Sequence, residues 1–465
     1  MTDQDGFIHP YVPNAAPGPR QRLLDAVGLA SVKDLYASIP ENLQFKGGLD
    51  LPASMPGEYD LRRHVEGILS ANKSTRDFLN FRGAGCWQHF IPAICDEIVH
   101  RGEFLTSYAG GTYSDHGKNQ AIFEYQSMLG ELVGMEVVTP PTYDWGAAAD
   151  SAVAACGRLT GRRGVLVPEL MSPERLSQMR GFTKPHADIR TVRQDPATGL
   201  LDLDDLAAKL GDDIGAVYFE NPAYIGTIET QGAAIAEAVH GVGALVVVGV
   251  DPITLGVLAP PADYGADFVV GDLQPLGIHM FAGGGCAGFT ACRDEARFVA
   301  ELPTTLVSAT PTGVDGEIGF AWSTMERTAY DTRHEATDYY GTTQWLWGIG
   351  AAVYLSLLGP KGMVEIGEGV MQRARYAAGR LGEIASLSVL QADTPVFKEF
   401  VVSFGGAGKS VADVNAALMK RDIVGGHDLS TEFPALGQAM LVCVTEVHSK
   451  DDIDTLVDVV REAVQ

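Results

Sequence analysis

The segment Ala244-Leu245-Val246-Val247-Val248-Gly249-Val250-Asp251 is an apolar run that ends in an acid, and the chain has no lysine between Lys209 and Lys361. An apolar run of this length reads as a strand buried on both faces of a parallel sheet. An aspartate at the mouth of such a strand is where pyridoxal-phosphate enzymes anchor the pyridinium nitrogen, and the aldehyde of that cofactor needs a lysine shortly downstream. The chain therefore carries the frame of a cofactor site without its nucleophile. Because Asp251 is followed by Pro252, a capping or turn role for its carboxylate stands beside the anchor role. Asn221-Pro222-Ala223-Tyr224, after the preceding strand, adds polar groups at a neighbouring strand end.

Three further segments could carry chemistry. Thr142-Tyr143-Asp144-Trp145-Gly146 precedes an alanine-rich helix, Ala147 to Leu159. The free amides of that helix could hold a phosphate or carboxylate, and a helix that merely needs a start has the same pattern. Gly283-Gly284-Gly285 permits close backbone approach but lacks the helix of a nucleotide loop, so it reads as a structural turn. His89, within Cys86-Trp87-Gln88-His89-Phe90, is a candidate for stacking or proton transfer, and also for a hydrogen-bonded core histidine. Six scattered cysteines show neither CxxC spacing nor paired histidines, so they indicate no zinc site and no disulfide framework.

These groups need elements to position them. The 465 residues, 46% of them apolar, suffice for extensive cores, and a formal net charge of −25 opposes binding to nucleic acid or anionic membranes. Met1 to Arg20 lacks the apolar core of a signal peptide, which points to a cytoplasmic protein. Trp345 to Leu358 is short for a bilayer, is interrupted by Gly348 and Gly350, and reads as a core helix stopped by Gly359-Pro360. Residues 1–80 read as a polar, partly helical arm of the kind that wraps a neighbour. From there to 342, strand and helix patterns alternate: helices at 119–132, 203–210 and 233–240, strands at 164–167, 189–192, 214–219 and 244–250. This predicts a large α/β domain, mainly parallel, with its ligand crevice at the carboxyl ends of the strands. Residues 343–465 read as a smaller α+β domain, with strands at 397–404 and 440–444 and helices at 370–384, 411–421 and 451–463.

Several ordered blocks carry a family resemblance. Gly83-Ala84-Gly85 with His89 and Pro92, Arg101-Gly102-Glu103-Phe104, Phe123-Glu124-Tyr125-Gln126 and Tyr143-Asp144 come first. Val250-Asp251-Pro252, Gly265-Ala266-Asp267, Gln274-Pro275-Leu276-Gly277, Ala352 to Pro360, Glu399-Phe400-Val401-Val402 and Val442 to Glu446 follow. Over residues 20 to 463 the chain resembles the N-terminal subunit (glycine dehydrogenase, decarboxylating, subunit 1) of the two-subunit P-protein of the glycine cleavage system. The resemblance implies a type I pyridoxal-phosphate fold like that of aspartate aminotransferase. It further implies assembly, as αβ or α2β2, with a lysine-bearing subunit 2 that binds pyridoxal phosphate covalently. In that family glycine is decarboxylated and its aminomethyl group passes to a lipoylated carrier protein.

On this reading Asp144, Asp251 and Gln274 mark a degenerate cofactor site, with Gln274 where the partner would have its lysine. Trp87 and His89 by resemblance, and Tyr113 by proximity, are expected to reach the shared site, and no metal is expected. The chain departs from the family pattern at Gly85 to Phe90, at Ala109 to Gly117, at Arg333 to Tyr340, and at Trp145, which replaces a glycine. Two alternatives follow: a related decarboxylase or lyase subunit acting on another amino acid without lipoamide, and a non-catalytic scaffold subunit.

Overall fold

The computed structural model describes residues 8–105, 116–280, 287–323, 340 and 344–465. The chain divides into two compact units, Met1–Lys73 and Ser74–Gln465. In the first unit the helices Pro17–Ala26 and Glu58–Leu69 are separated by single helical turns, and none of its described residues is buried. Tyr11, Leu43, Phe45 and Tyr59 are among its exposed apolar side chains, so this unit has no core of its own.

The second unit is built on a seven-stranded sheet. Its spatial order is Val137–Val138, Gly288–Cys292, Phe268–Asp272, Leu245–Val250, Ile214–Glu220, Gly164–Pro168 and Asp188–Val192. The pairs from Phe268–Asp272 to Asp188–Val192 are parallel, and the two at the other edge are antiparallel. The apolar run at 245–250 belongs here because both of its faces are covered. Val246, Val248 and Val250 pack with Leu129 and Val133 of the helix His116–Val133 and with Leu355 of the helix Trp345–Gly382. Leu245 and Val247 pack with Ala148, Ala152 and Cys156 of the helix Trp145–Thr160. Alternate residues of a strand point to opposite faces, so a strand between two helical layers has no polar side to show.

A four-stranded antiparallel sheet, in the order Ser388–Val389, Glu399–Ser403, Ala439–Cys443 and His427–Asp428, lies toward the C-terminus. The helices Val411–Met419 and Lys450–Ala463 cover it, joined by Ala374, Ala377 and Leu381 of Trp345–Gly382. That last helix has the length and apolar character of a membrane span. Its regular path breaks at Gly359, φ 58° and ψ −177°, and resumes from Pro360. One half thus serves the large sheet and the other the small one.

The loop after Ile214–Glu220 brings the two sheets together. Ile228 N donates to Pro395 O at 2.9 Å, and Gly226, at φ +93°, lies so close to the Glu399 carbonyl that a Cβ would collide with it. Gly226→Ala should therefore cost about 3 kcal/mol or more, from left-handed strain and backbone collision together. Urea denaturation checks this, and an unchanged midpoint would mean that the two sheets are not held at this contact.

Candidate functional site

Three neighbouring strands of the large sheet end in acid. Glu220 closes Ile214–Glu220, Asp251 follows Leu245–Val250, Asp272 closes Phe268–Asp272, and all three are buried. Buried carboxylates need a cation, hydrogen bonds or a proton, and each of these meets that need differently.

Glu220 is held by Arg175 of the helix Pro173–Thr183 through two parallel 2.8 Å hydrogen bonds, and it accepts a third from Tyr218 Oη. The fork geometry of guanidinium and carboxylate favours this pairing. Arg175 also stacks over Trp145, with Cζ 4.4 Å from the ring centroid. Asp272 accepts from Gln274 N at 2.8 Å, and burial, aided by the charges of Asp144 and Asp251, pushes its carboxyl up to about 7.

Asp251 has the capping role that its sequence context offered, and its second oxygen faces a cation of the chain itself. Oδ1 accepts from Ile253 N and caps the turn Pro252–Gly256, while Oδ2 lies 2.6 Å from Lys398 Nζ. Lys398 immediately precedes the strand Glu399–Ser403 of the small sheet, and its side chain is 4% exposed. Its ammonium also lies 2.8 Å from His89 Nε2 and 4.1 Å from the Trp87 ring centroid. An ammonium only donates, so Nε2 accepts, and the imidazole proton sits on Nδ1, 2.8 Å from Glu446 Oε2. Asp251 and Lys398 thus form a buried ion pair, which hydrogen bonds extend from Lys398 through His89 to Glu446.

The remaining expected residues are also engaged within the chain. Gln274 Nε2 donates to Trp87 O at 2.9 Å and to Ile278 O at 3.1 Å, while its Oε1 accepts from Trp87 N at 3.2 Å. Asp144 caps the helix Trp145–Thr160, accepting from Ala147 N at 2.7 Å and from Gln178 Nε2 at 3.2 Å. Trp145 donates to Tyr218 Oη and lies over Gly249, where a Cβ would come within 2.8 Å of the indole. The side chain of His89 is 1% exposed and faces the interior of its own chain. Tyr113, Gly283-Gly284-Gly285 and most of the segments 109–117 and 333–340 lie outside the described residues.

Sequence reasoning missed Lys398, Arg175 and Glu220 as members of the site, and the pairing of Glu446 with His89. A signal for the first was present: the charged pair Lys398-Glu399 interrupts the apolar run Val396 to Val402, and a charge buried in a strand needs a partner.

Two spaces border these groups. An outer cavity of about 500 Å³ is lined by Arg82, Asp144, Arg175, Asp272, His427 and Glu432, among others. Farther in, among Trp87, Trp145, Asp251 and Lys398, about 20 Å³ remains, space for roughly one water molecule. The residues present do not fit pyridoxal phosphate: the Asp251 carboxylate is paired with Lys398, the Asp144 carboxylate sits on the helix amide, and the Gln274 amide is committed to main-chain groups.

Burial opposes ionisation of Glu446, but hydrogen bonds from His89 Nδ1 and Phe90 N outweigh this and hold the carboxyl below its ordinary range. A depressed carboxylate contributes stability above its unfolded value and loses it as pH falls toward its folded one. Glu446→Gln should therefore lose roughly 2 kcal/mol at pH 6, and much less by pH 3. Urea denaturation at the two pH values checks this, and an equal loss at both would contradict an ionised Glu446.

The family profile described as "Glycine cleavage system P-protein" matches residues 10–460. The chain is 35% identical over 459 residues, 97% of each chain, to "Probable glycine dehydrogenase (decarboxylating) subunit 1" of Staphylothermus marinus. It is 36% identical over 454 residues to the protein of the same name from Geobacillus thermodenitrificans, covering 97% of this chain and 98% of that one. Among solved structures, a glycine decarboxylase (P-protein) of the glycine cleavage system in inhibitor-bound form superposes with a TM-score of 0.85 at 32% identity, covering 96% of this chain and 98% of that one. A sphingosine-1-phosphate lyase from Burkholderia pseudomallei, 16% identical, covers 92% of this chain and 94% of its own with a TM-score of 0.66, a likeness of fold alone. The architecture is the type I pyridoxal-phosphate fold, and the chain belongs to the glycine cleavage system P-protein family.

Proposed function

We propose that the chain is the subunit without the Schiff-base lysine in a two-subunit glycine decarboxylase. It acts with a lysine-bearing partner that holds pyridoxal phosphate, and the aminomethyl group passes to a lipoylated carrier protein. The observation that carries this reading is Gln274, an amide tied to the Trp87 main chain in the segment where the frame calls for a lysine. A chain that keeps the fold over its full length but lacks the nucleophile needs a partner to supply the chemistry. The exposed apolar residues of the first unit and the charge of −25 suit a hetero-oligomer that binds neither nucleic acid nor membrane.

Within this reading Trp87 and His89 are positioning residues. Both line the buried ion pair, and they keep the segment Gly83 to Phe90 in place. Tyr113 is the residue proposed to reach the shared site directly.

The test is co-expression of this chain with its lysine-bearing homologue and measurement of carbon dioxide release from a panel of amino acids, with and without lipoylated carrier protein. Glycine turnover that needs both chains and the carrier is the expected result. Silence on glycine with release from another amino acid would overturn the substrate assignment, and full activity of the partner alone would leave this chain as a scaffold. In the assembled complex, His89→Ala should lower kcat several-fold while the partner's cofactor absorbance stays unchanged. Unaltered kcat would remove His89 from any part in turnover.

A further inference from the structure

We propose that this chain carries a permanent internal substitute for pyridoxal phosphate. The Lys398 ammonium at Asp251 takes the cationic position, the Asp144 carboxylate at the start of the helix Trp145–Thr160 takes the anionic one, and the chain's own crevice therefore excludes the cofactor. The inference goes beyond the proposed function, because it concerns this chain whether or not a partner supplies the catalytic cofactor.

The argument begins with Asp251. A carboxylate 3% exposed at the end of a central strand needs a cation, hydrogen bonds or a proton, and Asp251 has a cation. Where a pyridinium is bound, that cation is its ring nitrogen; here it is Lys398 Nζ, 2.6 Å from Oδ2. The ammonium is enclosed on three sides, by Asp251, by His89 Nε2 at 2.8 Å and by the Trp87 ring at 4.1 Å. A pyridinium entering this place would put two cations on one carboxylate or leave Lys398 buried without a counter-charge.

The other end of the site is filled in the same sense. The Ala147 amide at the N-terminus of the helix already receives the Asp144 carboxylate. A phosphate arriving there would meet a second anion, against a helix-end charge of about half an elementary charge. Between these ends, Gln274 offers an amide in place of an amine, with its N–H groups committed to Trp87 O and Ile278 O. The volume left among Trp87, Trp145, Asp251 and Lys398 is about 20 Å³.

The ion pair also ties the two sheets to each other. Lys398 comes from the edge of Glu399–Ser403 in the small sheet and Asp251 from the mouth of Leu245–Val250 in the large one. A dissociable ligand is replaced by a side chain that cannot leave.

The test has two arms. The purified full-length chain is dialysed against pyridoxal phosphate, and bound cofactor is read from its visible absorbance; the heterocomplex is treated likewise. No saturable binding to the chain alone, and one equivalent per pair of chains in the complex, is expected. Stoichiometric binding to the chain alone, or two equivalents per pair, overturns the proposal. A complex that binds none would sink the reading of the partner, while the chain-alone result still decides the present one.

In the second arm, Lys398→Ala should lower the melting temperature by several degrees, and n-propylammonium should restore it saturably by refilling the space beside Asp251. The double variant Asp251→Asn/Lys398→Met should be more stable than either single variant. This reads the same coupling if Lys398→Ala fails to accumulate. An unchanged melting temperature in Lys398→Met, or strictly additive losses in the double variant, would overturn the proposal.

Discussion

The burial of three acids at the ends of adjacent strands is the constraint on which the rest of the second unit depends. A parallel sheet collects its strand ends in one crevice, and in a medium of low effective dielectric three carboxylates cannot all stay charged there without compensation. Two compensations reach into other elements, Arg175 from the helix Pro173–Thr183 and Lys398 from the strand start of the small sheet, while burial raises the Asp272 carboxyl toward its protonated form against the hydrogen bond from Gln274 N. Removing one partner from such a buried pair typically costs about 3–5 kcal/mol, so these contacts dictate how helix, sheet and sheet sit together.

The same contacts engage the polar groups of this crevice within the chain. Asp251 is engaged by Lys398, the Ala147 amide by Asp144, and Gln274 by the main chain of Trp87. What stays open is the outer cavity of about 500 Å³, lined by groups of both charge signs. A fold holds its shape by core packing and buried charge balance, and neither needs the reactive group. The architecture therefore does not depend on a reactive lysine.

Much of the architecture was legible residue by residue. Gly164–Pro168, Ile214–Glu220 and Leu245–Val250 announced themselves as short apolar runs because both of their faces are covered. The stop at Gly359-Pro360 was legible because proline cannot donate within a helix and glycine tolerates φ 58°. The antiparallel edge was not legible. Val137–Val138 is two residues long and has no period to read, and Gly288–Cys292 is a short run whose pairing direction nothing in its own residues sets. The hairpin of Val307–Pro311 with Ile318–Trp322 is largely exposed, so its pattern is not that of a core strand.

By itself, the sequence determined the fold class, the family, the strand mouth at Asp251 and the missing lysine, because each of these is written in a contiguous stretch of side chains or in a single absence. Only the tertiary structure decided what Asp251 is paired with. Local periodicity says which face of a strand is buried, but it carries no information on which distant residue lies against that face. Lys398 meets Asp251 because the loop through Gly226 and Thr227 lays the start of Glu399–Ser403 against the strand ends of the large sheet, and that proximity is a property of packing between segments far apart in the chain.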